Sequence, residues 1–145
     1  MYKKIILGSV LIFTILLIAC SDRKEINIDD TKIFKEELES NFKSIKVVDV
    51  TFKRPGLTFD IDLEKLSEDE DIVLILKEIK EFVNSNKIDE ISKRYNSNKT
   101  IQYIYIKINE DGDKSTIEKA YQGDYRNGGY TFWWDTFQGV EVKLD

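Results

Sequence analysis

The chain has 145 residues, with 27 Asp and Glu against 22 Lys and Arg, no histidine and one cysteine. The acidic balance works against phosphate backbones, so nucleic acid is excluded as a partner, and the missing histidine removes the commonest general base and the commonest metal ligand. One cysteine cannot make an internal disulfide, so the fold must rest on an apolar core, for which the length suffices.

Residues 1–20 read MYKKIILGSVLIFTILLIAC. Lys3 and Lys4 open it, and an apolar run from Ile5 to Ile18 follows, interrupted by Gly8, Ser9 and Thr14. Ala19 and Cys20 close it before the chain turns polar. Basic, apolar and small-residue regions in that order make a secretory signal, and the run is short of the roughly 20 residues that span a bilayer. Its last residues, Leu17-Ile18-Ala19-Cys20, resemble the lipobox of bacterial lipoproteins. The resemblance covers the signal and these four residues. It implies cleavage before Cys20, a covalent diacylglycerol on its thiol, and a protein lipid-anchored to the extracytoplasmic face of the cell membrane. Loss of 1–19 leaves 20 Lys and Arg against 27 acids, a side-chain charge of −7. So acidic a domain is not expected to be drawn to anionic lipid by charge, whereas two acyl chains hold a protein stably.

Residues 21–30 are charged and without period, which reads as a tether. The chain thus divides into a signal at 1–19, a lipidated cysteine and tether at 20–30, and one globular domain at 31–145. Phe34, Leu38 and Phe42 share one face of a helix over 31–43, with Asp29, Asp30 and Thr31 as candidate caps. Residues 46–63 read as a hairpin about the turn Arg54-Pro55-Gly56-Leu57. Pairing Phe52 with Phe59, Val50 with Ile61 and Val48 with Leu63 puts every apolar residue on one face. The same register sets Asp49 opposite Asp62. Ser67 and Glu70 fit a capping box, and Ile72, Ile75, Leu76, Ile79, Phe82 and Val83 carry an amphipathic helix as far as Asn84-Ser85-Asn86. Ile88, Ile91 and Tyr95 suggest a shorter helix after it, or a continuation past a kink. Residues 100–108 alternate as a strand with Ile104, Ile106 and Ile108 inward, and Asp111-Gly112 signals a hairpin into 114–121, where Ile117 and Tyr121 would join the isoleucine face. Strands are expected at 130–137, after Asn127-Gly128-Gly129, and near Val140, Val142 and Leu144. The fold class is α+β: a mostly antiparallel sheet of two hairpins plus C-terminal strands, with two or three helices on one face.

No catalytic motif is present: no G-x-S-x-G, Walker loop, G-x-G-x-x-G or H-E-x-x-H. The facing pair Asp49 and Asp62, beside Asp60, is a candidate for a calcium site or for acid–base work, but no third ligand can be named and no metal is expected. The richest stretch is 121–137, with seven aromatics in 17 residues. Consecutive Trp133 and Trp134 must point to opposite faces of a strand. Tyr130, Phe132 and Trp134 share one parity and read as core, which leaves Trp133 among polar neighbours as the outward contact. Trp133, Tyr130, Trp134 and Tyr125 are the candidate binding surface, suited to a glycan or an envelope protein. The sequence therefore points to a non-catalytic binding or accessory lipoprotein. The alternatives are a small carboxylate-dependent envelope hydrolase and a structural or inhibitory partner of an envelope protein. Cys20→Ser is expected to abolish fatty-acid labelling of the protein in growing cells; unchanged labelling would refute the lipobox reading.

Overall fold

The computed structural model describes residues 23–64, 69–111 and 116–144. The apolar run and Cys20 lie outside the described residues, as do Ser67 and Gly112. The elements are β1 (Lys24–Glu25), α1 (Asp29–Asn41), β2 (Ile45–Lys53), β3 (Gly56–Leu63), α2 (Asp69–Val83), α3 (Lys87–Tyr95), β4 (Tyr103–Asn109), β5 (Lys119–Arg126), β6 (Gly129–Asp135) and β7 (Val140–Glu141). The strands form one seven-stranded sheet in sequence order. Every join is antiparallel except β3–β4. Helices α2 and α3 form the crossover that a parallel join requires. The fold is α+β.

The sheet begins earlier than the sequence suggested. Lys24 faces Phe52, Ile26 N–H donates to Val50 O at 2.9 Å, and Ile26 and Ile28 are each 3% exposed. These two isoleucines, spaced as a strand spaces one face, pull the expected tether into the core. Helix α1 starts accordingly at Asp29. Ile28 is its N-cap without a side-chain cap bond, and Asp29 and Asp30 occupy the first turn, where the helix dipole favours them.

In the β2–β3 hairpin, Lys53 faces Gly56, Phe52 faces Leu57, Val50 faces Phe59 and Val48 faces Ile61. The register is shifted by two from the expected one because Arg54 and Pro55, joined by a cis peptide bond, are the two turn residues. A shift of two preserves side-chain parity. Val48, Val50, Phe52, Leu57, Phe59, Ile61 and Leu63 therefore all remain buried. The carboxylate pairing does change: Asp49 faces Asp60, not Asp62.

Ile104, Ile106 and Ile108 continue the inward face across β4. The helices bury against it through Phe34 and Leu38 of α1, Ile75 and Ile79 of α2, and Ile91 of α3. Phe34 stacks on Phe82 at 4.1 Å and meets Phe59 edge-on at 6.1 Å, so α1, α2 and β3 converge there.

The C-terminal hairpin departs from simple alternation. Asn127 and Gly128 form its two-residue turn with φ of 53° and 90°, the positive values a type I′ turn needs. Tyr125 faces Tyr130 but Asp124 faces Phe132, which leaves Thr131 as an extra residue on β6. The bulge inverts the parity beyond it. Tyr130 and Trp133, three apart, are both buried at 2% exposure. The expectation that Trp133 faces outward is thus corrected. Its ring lies over Gly123 on β5, where an added Cβ would approach ring carbons to 2.8 Å, and its Nε1–H donates to Tyr130 O at 2.8 Å. Ile117, expected in the core, is 38% exposed.

Gly123→Ala should cost about 1–3 kcal/mol by overpacking Trp133. Trp133→Ala should cost about 3–5 kcal/mol through the cavity it leaves. Exposed Phe137→Ala should stay within about 0.5 kcal/mol. Urea denaturation of the three variants checks the ranking; a Trp133→Ala as mild as Phe137→Ala would refute it.

Candidate functional site

The four aromatic candidates do not form one surface. Tyr130 is a structural tie. Its hydroxyl donates to Ile101 O at 2.7 Å, and its N–H donates to Asn84 Oδ1 at 2.7 Å. Asn84 Nδ2 in turn donates to Lys80 O at 2.9 Å, so one amide joins the end of α2 to β6. Burial, then the nearby Tyr125 and Asp89, push the Tyr130 hydroxyl pKa well above its ordinary value. Trp134 projects on the opposite face of the sheet, between Gln122 and Glu141. Its buried Nε1 has no hydrogen-bond partner among the described residues. Phe132 lies under the Arg126 guanidinium at 4.0 Å, and Asp124 holds that guanidinium at 3.0 Å. Tyr125 is 39% exposed and stands edge-on to Tyr130 at 5.3 Å.

Tyr125 walls a cleft of about 320 Å³ on the helix-covered side of the sheet. The floor and far wall are Asn84, Ser85, Asn86, Asp89 and Ser92, from the end of α2 and the start of α3. Ser85 and Ser92 are tied down: their hydroxyls donate to Phe82 O at 2.6 Å and Lys99 O at 2.5 Å. Asn86 is the N-cap of α3 by its backbone, without a side-chain cap bond. The Asn86 and Asp89 side chains make no hydrogen bond or ion pair among the described residues. The cleft thus pairs one exposed aromatic ring with an amide and a carboxylate that have no internal partner. Asn84-Ser85-Asn86 reads in the sequence as a helix end; the polar density of that break was the available signal for a site.

The open face carries the acidic candidates. Asp49, Asp60 and Asp62 do share a cleft, of about 430 Å³, with Arg23 and Lys107. Asp60 lies between Arg23 at 3.6 Å and Lys107 at 3.8 Å, while Asp49 meets Lys35 at 3.8 Å. Facing like charges would be destabilising, and these cations relieve it. Among the described residues, no group of three or more His, Cys, Asp or Glu is arranged to hold a metal ion.

The same groove continues past Arg23 and Lys107 into a basic cleft of about 320 Å³ with Lys53, Arg54, Thr58 and Tyr105. Tyr105 seats against Gly56, where an added Cβ would come within 2.8 Å of its ring. Burial, then Tyr103 and Asp124, raise the Tyr105 hydroxyl pKa. Sequence reasoning missed this cluster, since Arg23, Lys53 and Lys107 are distant along the chain and meet through the β1–β2 and β3–β4 pairings.

No family model, curated protein or solved structure matches the chain.

The Tyr130 hydroxyl gives a signed pH dependence. Its folded pKa lies above its unfolded value of about 10, so above pH ~10 the unfolded chain releases a proton that the folded chain keeps. Stability should fall there by up to about 1.4 kcal/mol per pH unit from this group. Tyr130→Phe should lose about 1 kcal/mol at neutral pH with its hydrogen bond, and show a shallower alkaline decline. Urea titrations at neutral and alkaline pH check both; identical alkaline slopes would refute the assignment.

Proposed function

We propose that the protein is a membrane-anchored cell-surface lipoprotein whose domain is a non-catalytic binding module, and that the cleft under Tyr125 is its binding site. The anchor rests on the lipobox-like Leu17-Ile18-Ala19-Cys20. The site rests on one observation: exposed Tyr125 stands beside Asn86 and Asp89, whose side chains lack internal partners. An aromatic face next to amide and carboxylate groups suits a polyhydroxylated ligand such as a sugar. The ring takes the ligand's C–H face, and the polar groups take its hydroxyls. Gly128 of the turn and Gly129 at the start of β6 keep the rim low, since neither carries a side chain. The hydrolase alternative lacks comparable support, because Asp60 is engaged by two cations.

The test uses the lipid-free domain, residues 21–145, on a panel of immobilised neutral oligosaccharides and in affinity capture from envelope extract. Tyr125→Ala should reduce retention of the bound sugar at least tenfold, the loss of about 1.4 kcal/mol, with an unchanged melting curve. Trp134→Ala, on the other side of the sheet, should retain it. Retention of no sugar, or equal loss in both variants, would refute the cleft.

A further inference from the structure

The domain is acidic overall, yet one corner of it is basic. Lys24 faces Phe52 across β1–β2, and Lys53 faces Gly56 across the hairpin. With Arg23 before Lys24 and Arg54 after Lys53, four exposed cations lie at one end of the first three strands, Lys24 on the helix-covered side with Phe52, and Arg23, Lys53 and Arg54 around the open-face cleft. Lys24, Lys53 and Arg54 form no ion pair among the described residues. The acids near this end are Asp60, shared by Arg23 and Lys107, Glu25, one rung further along β1, and Asp124, on the rung of Gly56 and Tyr103 and held by Arg126.

Cys20 stands three residues before Arg23. A chain covers at most about 3.6 Å per residue, so their α-carbons lie within about 11 Å whatever path the segment takes. That is close to the Debye length of about 8–10 Å, the range over which a surface charge is felt. We propose that the start of β1 and the Arg54-Pro55 turn form a membrane-docking face, with Arg23, Lys24, Lys53 and Arg54 against the phosphates of anionic lipid headgroups. The proposal rests on the lipid-anchor reading, since only acylation at Cys20 brings this corner to a bilayer. It replaces the expectation drawn from net charge: repulsion by distant acids is screened, while the cations beside the anchor are not. It also orients the domain. Lys46, at the far end of β2, would stand about 23 Å further from the lipid at 3.3 Å per residue. The Tyr125 cleft lies at the same end of the sheet, since Tyr125 N–H donates to Gln102 O at 3.1 Å and Gln102 N–H to Pro55 O at 2.9 Å, but it opens on the helix-covered side, whereas Arg54 and Lys53 line the open-face groove.

The experiment uses the full lipidated chain, reconstituted into vesicles of phosphatidylcholine alone or with phosphatidylglycerol added. Lysine acylation is read by mass spectrometry. Labelling of Lys24 and Lys53 should fall about fivefold in the anionic vesicles, the factor expected for roughly 1 kcal/mol per surface cation. Lys46 should label equally in both. A Lys53→Gln, Arg54→Gln variant, altered only at exposed positions at the end of β2 and in the turn, should regain labelling at Lys24. Equal labelling of Lys53 in both vesicles, protection of Lys46 to the same extent, or protection by inorganic phosphate without anionic lipid would each overturn the docking face. The mass of the Cys20 peptide from the same preparation reports the anchor separately. A lipidated peptide with composition-independent labelling overturns the docking face alone, and an unlipidated one overturns the anchor and the docking face with it.

Discussion

Burial of one face of the sheet under three helices is the constraint on which the other features depend. Phe59, Ile61, Ile104 and Ile106 are fully or almost fully buried in the middle strands, and each such side chain contributes about 1.5–3 kcal/mol on leaving water. Exposed ion pairs contribute about 0–1 kcal/mol. The contacts of Asp60 with Arg23 and Lys107 therefore shape the open face without holding the fold together. Because the helices are confined to one side, the other side is free to carry grooves, and strand alternation fills it with Asp49, Asp60, Lys107 and Tyr105.

The C-terminal hairpin shows how one extra residue redistributes side chains between core and surface. With Thr131 bulged out, Trp133 turns inward and finds room only because Gly123 opposite has no side chain. Its indole N–H is satisfied by Tyr130 O, and Tyr130 is satisfied in turn by Ile101 and Asn84. These bonds leave Tyr125 as the exposed ring beside the α2–α3 break. The cleft is thus a by-product of core packing: the residues that seal the core also aim the ring.

Charge acts locally in this molecule. A net −7 for the chain from Cys20 onward describes its behaviour at a distance, beyond screening. At the turn after β2, the sign is opposite. The acids that dominate the total are spread along helix surfaces and the far strand ends, including Glu110 and Asp62.

The sequence by itself determined the α+β class, the inward residues of β2, β3 and β4, and the three helices, because these follow from periods of 2 and 3.6 that local sterics impose. Even an error of two in the β2–β3 register left the faces intact, since parity survives an even shift. The apolar run from Ile5 to Ile18 and the lipobox-like Leu17-Ile18-Ala19-Cys20 are a linear pattern too, and the anchor proposed from them rests on that pattern alone. Tertiary structure alone decided what depends on pairing between distant segments. The β3–β4 join is parallel because the α2–α3 crossover returns the chain to the same end of the sheet. Trp133 is core and not contact because a bulge, silent in the local pattern, inverted parity at Thr131. Ile26 and Ile28 belong to the fold because β2 offered them an edge. Arg23, Lys53 and Lys107 became neighbours only when three strands lay side by side, and no period in the chain encodes that meeting.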